Sequence, residues 1–340
     1  MAVFDVGAQP GRCASPARRG VLCMALAPAL AGLLHSPLVA AQAQSWPSKP
    51  VRIVVPFSTG GTADTLARII AAQLTKQLGQ SFVVDNKPGA GATIGTAEVA
   101  RAPADGYTLL VHTTTFTISQ HVYPNLTYDG QKDFVPVGLL MTTPLILVTG
   151  PNSGMKTVAD YVSAAKAKPG QVSFSSSGAG STPHLGFEML KQAAGIELLH
   201  VPYKGGGEAI TAVIAGNTHS YFAAPIEVTE LIKSGKLVAL GSTSVKRTPG
   251  LSAMPTLAES GIANFELIHY TALLARAGTP PDILAKLSEN LMRALQAPEV
   301  RDKIAQNGDV PAGTMAEAGD LFTRAYPVWG AVVKTANIKP

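Results

Sequence analysis

Two hydrophobic periods take turns along this 340-residue chain. Short β-branched runs give way to stretches with apolar residues every three or four positions, which predicts repeated strand–loop–helix units and an α/β fold. The first unit sets the pattern. Residues 51–57 are apolar almost throughout and read as a buried parallel strand. From Ala63 onward Leu66, Ile69, Ile70, Leu74 and Leu78 fall on one helical face, with Thr62 as the expected N-cap and Gly79 as the stop. A strand over 81–85, a helix over 93–102 and a strand over 107–111 follow. The apolar stretch 134–149 is broken at Pro144, which a central strand does not tolerate, so it is expected to cross between two lobes.

The second half repeats the device. A helix over 157–167 is stopped by Pro169-Gly170, and a strand over 172–175 runs into the polar loop 176–182, with Thr182 as N-cap and Pro183 at the first helical position. Strand 198–202, loop 203–207 and helix 208–215 form a third unit; strands 221–224 and 237–241 flank a helix over 227–233. Residues 265–274 are expected to return across the lobes, before closing helices over 280–295, capped by Thr279, and 315–334.

The loops are where chemistry is expected. Phe57, Ser58, Thr59, Gly60, Gly61 and Thr62 lie between the first strand and its helix, with little side-chain bulk. The first amides of such a helix lack partners and sit at its positive dipole end, which suits a carboxylate, sulfate or phosphate. An ordinary βα turn has the same composition, and the loop alone does not separate the two. Asp64, in the first turn, is expected to organise the loop through amide hydrogen bonds. In the second loop Ser177, Gly178, Ala179, Ser181 and Thr182 offer the same groups, with His184 one turn on, either bonded within the loop or touching a ligand. Neither loop contains Arg or Lys; Lys204 lies in the neighbouring glycine loop.

Residues 1–43 have the form of a secretory leader: Arg12, Arg18 and Arg19, an apolar run over 21–34, and Ala41-Gln42-Ala43 as a cleavage site. The run is shorter than the roughly 20 residues that span a bilayer. Arg18-Arg19 resembles a twin-arginine signal only faintly. Both cysteines, Cys13 and Cys23, fall in the leader, which removes disulfides, thiolate metal sites and cysteine nucleophiles from the exported chain. The leader carries +2 of the formal +5, leaving +3. That mild excess, without any Lys/Arg run, suits a small anion rather than nucleic acid.

Catalytic patterns do not assemble. Gly89-Ala90-Gly91-Ala92-Thr93-Ile94-Gly95 misses the dinucleotide fingerprint by one position in its third glycine, Ser163-Ala164-Ala165-Lys166 sits mid-helix, and no G-x-S-x-G elbow occurs. None of the histidines is in H-x-x-x-H spacing, so no metal and no cofactor is expected.

Five blocks carry a resemblance: VPFSTGGTADTLAR, NKPGAGATIGTAEVARAPADGYTLLV, FSSSGAGSTPHL, HVPYKGGGEAITAVIAGN and MPTLAESGIANFE. In this order they resemble the Bug-type solute receptors of tripartite tricarboxylate transporters, over essentially the whole chain after the leader. The resemblance implies a type II periplasmic-binding-protein fold, with two α/β lobes and a ligand cleft between them. The lobes are expected at 44–143 with 267–340, and at 144–266. It further implies a periplasmic, monomeric, non-enzymatic receptor that delivers a small organic carboxylate to membrane permease subunits. The ligand would be gripped by residues 58–62 and 177–182, with Phe57, Thr113, Thr114, His184, Lys204 and Ala224 beside them. A receptor feeding a sensor kinase, or a periplasmic hydrolase using a loop serine, are the alternatives. Two positions depart from common family patterns, and both bear on specificity: Ala223-Ala224-Pro225 replaces a polar residue, and His269-Tyr270 replaces a Trp.

Overall fold

The computed structural model describes residues 46–305 and 313–339, so the expected leader lies outside the described residues. The opening unit forms where its pattern places it. β1 (Val51–Val55) leads through the small loop into α1 (Thr62–Leu78), whose Leu66, Ile70 and Leu74 are wholly buried. Each such side chain contributes about 1.5–3 kcal/mol of burial. Gly61, not Thr62, is the N-cap, and Gly79 ends the helix at φ 69°, a left-handed conformation glycine adopts without a Cβ penalty.

The chain continues through β2 (Phe82–Asn86), α2 (Thr93–Arg101), β3 (Thr108–Thr113) and α3 (Thr115–Val122) to the long β4 (Phe134–Pro144). Pro144 ends β4, and after a single residue, Leu145, β5 (Ile146–Thr149) begins in a different sheet. Then come α4 (Val158–Ala167), β6 (Ser173–Ser176), α5 (Thr182–Ala194), β7 (Leu199–Pro202), α6 (Gly206–Ile214), β8 (Ser220–Ala223), α7 (Pro225–Lys233) and β9 (Val238–Ser242). β10 (Ile268–Arg276) returns to the first sheet, and α8 (Pro281–Gln296), α9 (Pro298–Ala305) and α10 (Met315–Thr335) complete the described chain. Neither α3 nor α9 was foreseen from the pattern. Thr279, the expected cap of α8, instead bonds the Arg276 carbonyl, and Pro280 holds the cap position.

Two five-stranded sheets result, ordered β2-β1-β3-β10-β4 and β7-β6-β8-β5-β9. In each, the first three strands are parallel and the strand arriving from the other sheet is antiparallel to its neighbours. Helices cover the sheets and leave the β1–α1 and β6–α5 loops beside the crossings.

Thr243, just beyond β9 and wholly buried, clasps both crossings at once. Its hydroxyl accepts from the Leu145 amide at 2.8 Å and donates to the Leu267 carbonyl at 2.6 Å, while its own amide and carbonyl pair with Leu145 and Leu267 at 2.9 Å each.

Candidate functional site

The two loops foreseen as ligand-bearing lie on opposite sides of one narrow cavity of about 30 Å³, room for about two waters. From the first sheet's side come Phe57, Gly61, Thr62, Ala63, Thr113 and His269; from the second come Leu145, Ser177, Pro183, Gly206, Tyr221, Phe222, Ala224 and Glu227. Of the residues expected from sequence, Phe57, Gly61, Thr62, Thr113, Ser177 and Ala224 therefore reach this cavity.

The β1–α1 loop is shaped by the acid at its third helical position. Asp64 accepts from the Gly60 amide at 3.0 Å and from Asn86 Nδ2 at 3.0 Å, and pairs with Arg68 at 2.9 Å. Burial pushes this carboxyl up, but the Arg68, Gly60 and Asn86 bonds outweigh it and hold it below the usual carboxylate range. Asp64 thus organises the loop as the sequence suggested.

Across the cleft, Gly61 and Gly206 approach so closely that a Cβ on Gly61 would stand 3.3 Å from the Gly206 amide nitrogen. The next glycine loop closes over Ser58, whose amide donates to the Lys204 carbonyl at 3.1 Å. On the other side Thr182 donates its amide to Thr115 Oγ1 at 3.3 Å, and the Tyr123 hydroxyl donates to the Ala179 carbonyl at 3.1 Å.

An acid not singled out from sequence sits at the centre of this closure. Glu227, in the first turn of α7, accepts from the Thr62 amide at 2.8 Å through Oε1 and from the Ala224 amide at 2.9 Å through Oε2. Its carboxylate therefore occupies the α1 N-terminus. Burial raises its pKa, and the Thr62 and Ala224 donors oppose that rise without cancelling it. Burial likewise raises the neighbouring Tyr221 phenol, and the Glu227 charge adds to the rise. The signal was present: Ala224-Pro225-Ile226-Glu227 places Pro at N1 and Glu at N3, half of a capping box. What no local pattern could convey is that Thr62, 165 residues away, supplies the second donor.

The other expected residues are placed differently. Ser58, Thr59 and Gly60 line a more open hollow with Tyr203 and Glu208, outside the cavity. Thr114 is consumed by β10, its amide and hydroxyl both bonding the Tyr270 backbone. Gly178, at φ 126°, lets the second loop approach Gly91. Ser181 is the N-cap of α5 in place of Thr182; the hydroxyls of both are buried without a hydrogen-bond partner among the described residues. His184 bonds within the loop, accepting from the Gly180 amide at 3.0 Å, and stacks on His200 with ring centroids 3.8 Å apart. Burial holds both rings neutral, lowering His184 to about 3 and His200 to about 4, with Lys191 adding to the effect on each. Lys204 is exposed and contributes backbone rather than charge.

His269, one of the two departures expected to bear on specificity, is a polar group of the lining. It is 6 % exposed, burial lowers its pKa to about 4, and neither ring nitrogen has a partner among the described residues. Elsewhere in the second sheet Ser176 Oγ lies 2.6 Å from His200 Nε2, a nucleophile–base distance. The pair is not an acyl-transfer site: Ser176 is wholly buried, also bonds the Gly178 backbone, and lies outside the cavity lining. Among the described residues no cluster of His, Cys, Asp or Glu could hold a metal, and no helix is long and apolar enough to cross a membrane.

The family model described as the tripartite tricarboxylate transporter family receptor matches residues 66–337. The chain belongs to this family. Among its relatives, BugT of Bordetella pertussis is 34% identical over 304 residues, covering 87% of this chain and 92% of that one. Among solved structures, R. palustris Rpa4515 with adipate is 34% identical with a TM-score of 0.83, covering 87% of this chain and 99% of the other. MatC from Rhodopseudomonas palustris with bound malate is 29% identical with a TM-score of 0.81, covering 85% and 100%. The periplasmic binding protein BugD is 32% identical with a TM-score of 0.83, covering 86% of this chain and 99% of its own. The receptor therefore has the type II periplasmic-binding-protein fold of its family, two α/β lobes with the cleft between them.

Proposed function

We propose that this receptor works outside the cytoplasm, capturing a small organic carboxylate between its lobes and passing it to the permease of a tripartite tricarboxylate-type transporter. The observation that supports this best is the cavity itself. Helix N-termini from both halves of the molecule, Thr62 and Ala63 of α1 and Pro183 of α5, meet on its wall, the Thr62 amide being taken by Glu227, and no Lys or Arg lines it. Amides and hydroxyls at helix ends recognise an anion by geometry and dipole. The adipate and malate held by the two R. palustris relatives make a carboxylate the first ligand class to test.

In this reading residues 44–143 and 267–340 form one lobe and 144–266 the other, a single copy suffices, and the lobes hinge at the crossings near 141–147 and 266–272. Phe57, Ser58, Thr59, Gly60, Gly61, Thr62, Thr113, Thr114, Ser177, Gly178, Ala179, Ser181, Thr182, His184, Lys204 and Ala224 build the gripping loops, some by contact and some by shaping. Nothing in the cavity pairs a nucleophile with a base, which suits capture rather than conversion.

Calorimetry with four- to six-carbon organic acids and their fully esterified forms tests this. Free acids should bind and the esters should lose about 1.5–3 kcal/mol, the worth of a hydrogen bond to a charged group. An ester binding as tightly as its acid would overturn carboxylate capture.

A further inference from the structure

The α1 N-terminus already holds an anion, and it is the protein's own. Three helix N-termini converge on Glu227: α1 through Thr62, α7 through Ala224, and α6 through Gly206, where a Cβ would stand within 2.4 Å of Glu227 Oε1 and 3.0 Å of the Tyr221 hydroxyl. With amides at the starts of α1 and α7 donating to it and the α6 start packed against it, this carboxylate is held without Lys or Arg, and none lines the cavity. A second carboxylate placed at the same helix ends would face Glu227 across a space of about 30 Å³ with no cation between them.

Glu227 nonetheless keeps acceptor capacity. A carboxylate accepts about four hydrogen bonds, and Glu227 has the Thr62 amide and the Ala224 amide. A ligand group that donates to it would be recognised; one that only accepts would be repelled. The same cavity wall carries His269, buried, with neither ring nitrogen partnered among the described residues, which as a neutral imidazole offers one N–H to a ligand oxygen. The lining is thus asymmetric, an acceptor at Glu227 and a donor at His269.

We propose that Glu227 is a specificity-determining residue, and that this receptor selects a monocarboxylate whose other end is a neutral hydrogen-bond donor such as a primary amide, in preference to a dicarboxylate. The inference rests on the carboxylate-capture reading above and narrows it. A neutral donor suffices, because the Thr62 and Ala224 amides already donate to both Glu227 oxygens.

The test is calorimetry on the purified protein with three matched sets at pH 7.5: succinate, glutarate and adipate, their monoamides, and their monomethyl esters. The monoester has the monoamide's charge but no donor. In the best-fitting length the monoamide should bind at least tenfold more tightly than both the dicarboxylate and the monoester. Glu227→Gln, which supplies a donor at the same place, should bring dicarboxylate and monoamide within about threefold of each other. A dicarboxylate that binds the unaltered protein as tightly as the monoamide overturns the inference, whether or not the variant folds, and so does an unchanged ratio in a folded variant. Those outcomes leave carboxylate capture standing. Failure of every acid, monoamides included, overturns capture and the inference together.

Discussion

The two helix-start loops look alike in sequence, small and hydroxyl-rich without a cation, yet the fold spends them differently. At α1 the amide of Thr62 is taken by Glu227 from the facing half of the molecule, and the glycines of the α6 loop seal the outside. At α5 the hydroxyls of Ser181 and Thr182 are buried and unpartnered, and beneath them His184 and His200 stack against Phe174. One end is closed by the protein's own charge; the other keeps donors in reserve. A helix N-terminus therefore defines a place an anion can go, while whose anion goes there is decided by tertiary contacts.

Acid should separate the two ends most strongly. His184 and His200, with Glu188 and Lys191 beside them, have folded pKa values near 3 and 4, below the ordinary 6.5. The unfolded chain then binds more protons between pH 6.5 and about 4. The stability from neutral burial is complete above 6.5 and falls as pH drops through that interval, by up to about 1.4 kcal/mol per pH unit for each proton. Glu227 acts oppositely: its raised pKa means the folded form takes up a proton first, so acidification just above the ordinary 4.5 favours the fold. Urea unfolding from pH 7 to 4.5 should show a steep loss, part of it from His112 and His269, which burial lowers to about 3 and 4; replacing His184 and His200 should remove the part that belongs to the α5 end, and Glu227→Gln should steepen the whole. A flat profile would remove the distinction between the ends.

Next in size are the reserve donors. Thr182→Val or Ser181→Ala should weaken carboxylate binding by about 1.5–3 kcal/mol, less where water replaces the contact. Melting of the free protein should shift little, since neither hydroxyl has a partner to lose. A large loss of stability with unchanged affinity would make these hydroxyls structural. At the sealed end, a Cβ on Gly207 would meet the Thr59 carbonyl at 2.4 Å, across the closure. Gly207→Ala should therefore oppose closing by about 1–3 kcal/mol, the usual cost of overpacking, with compaction on ligand addition reduced in small-angle scattering. The smallest effect is expected from Asp64→Asn, about 1 kcal/mol of stability through weaker loop bonds, with the preference for anions unchanged in calorimetry.

The sequence reading of the fold was most complete where one residue type has one physical meaning. Gly79 stops α1, Pro144 marks the crossing, and the β-branched run at 51–55 is a buried strand. Cap positions slipped by one, at Gly61 and Ser181, because Ser, Thr and Gly can all hold that position. α3 was missed because its Thr-rich start, Thr115-Phe116-Thr117, has poor intrinsic helicity and is secured instead by packing of Phe116 and Ile118 and by the Thr117 hydroxyl on Tyr270. In the site, the loops were legible from local composition. Glu227 was not, since half of its role is a contact across the closure. For Lys204, its place beside the glycine loop says nothing of the side chain's direction, which is outward, with the backbone meeting Ser58.

If the lobes hinge as proposed, Thr243 is the pin of the lever. Both chain crossings are bonded to this one residue, beside β4, β10, β5 and β9, while the Ser58–Lys204 and Gly60–Gly207 approaches lie beside β1 and β7, away from that edge of each sheet. Rotation about such a pin leaves its bonds nearly unstrained and moves the far rim most. A fluorophore on Thr59 or on Lys204 would travel with the jaw and report each capture event, whereas one beside Thr243 would stay dark to it, so a reagentless sensor should be labelled at the rim.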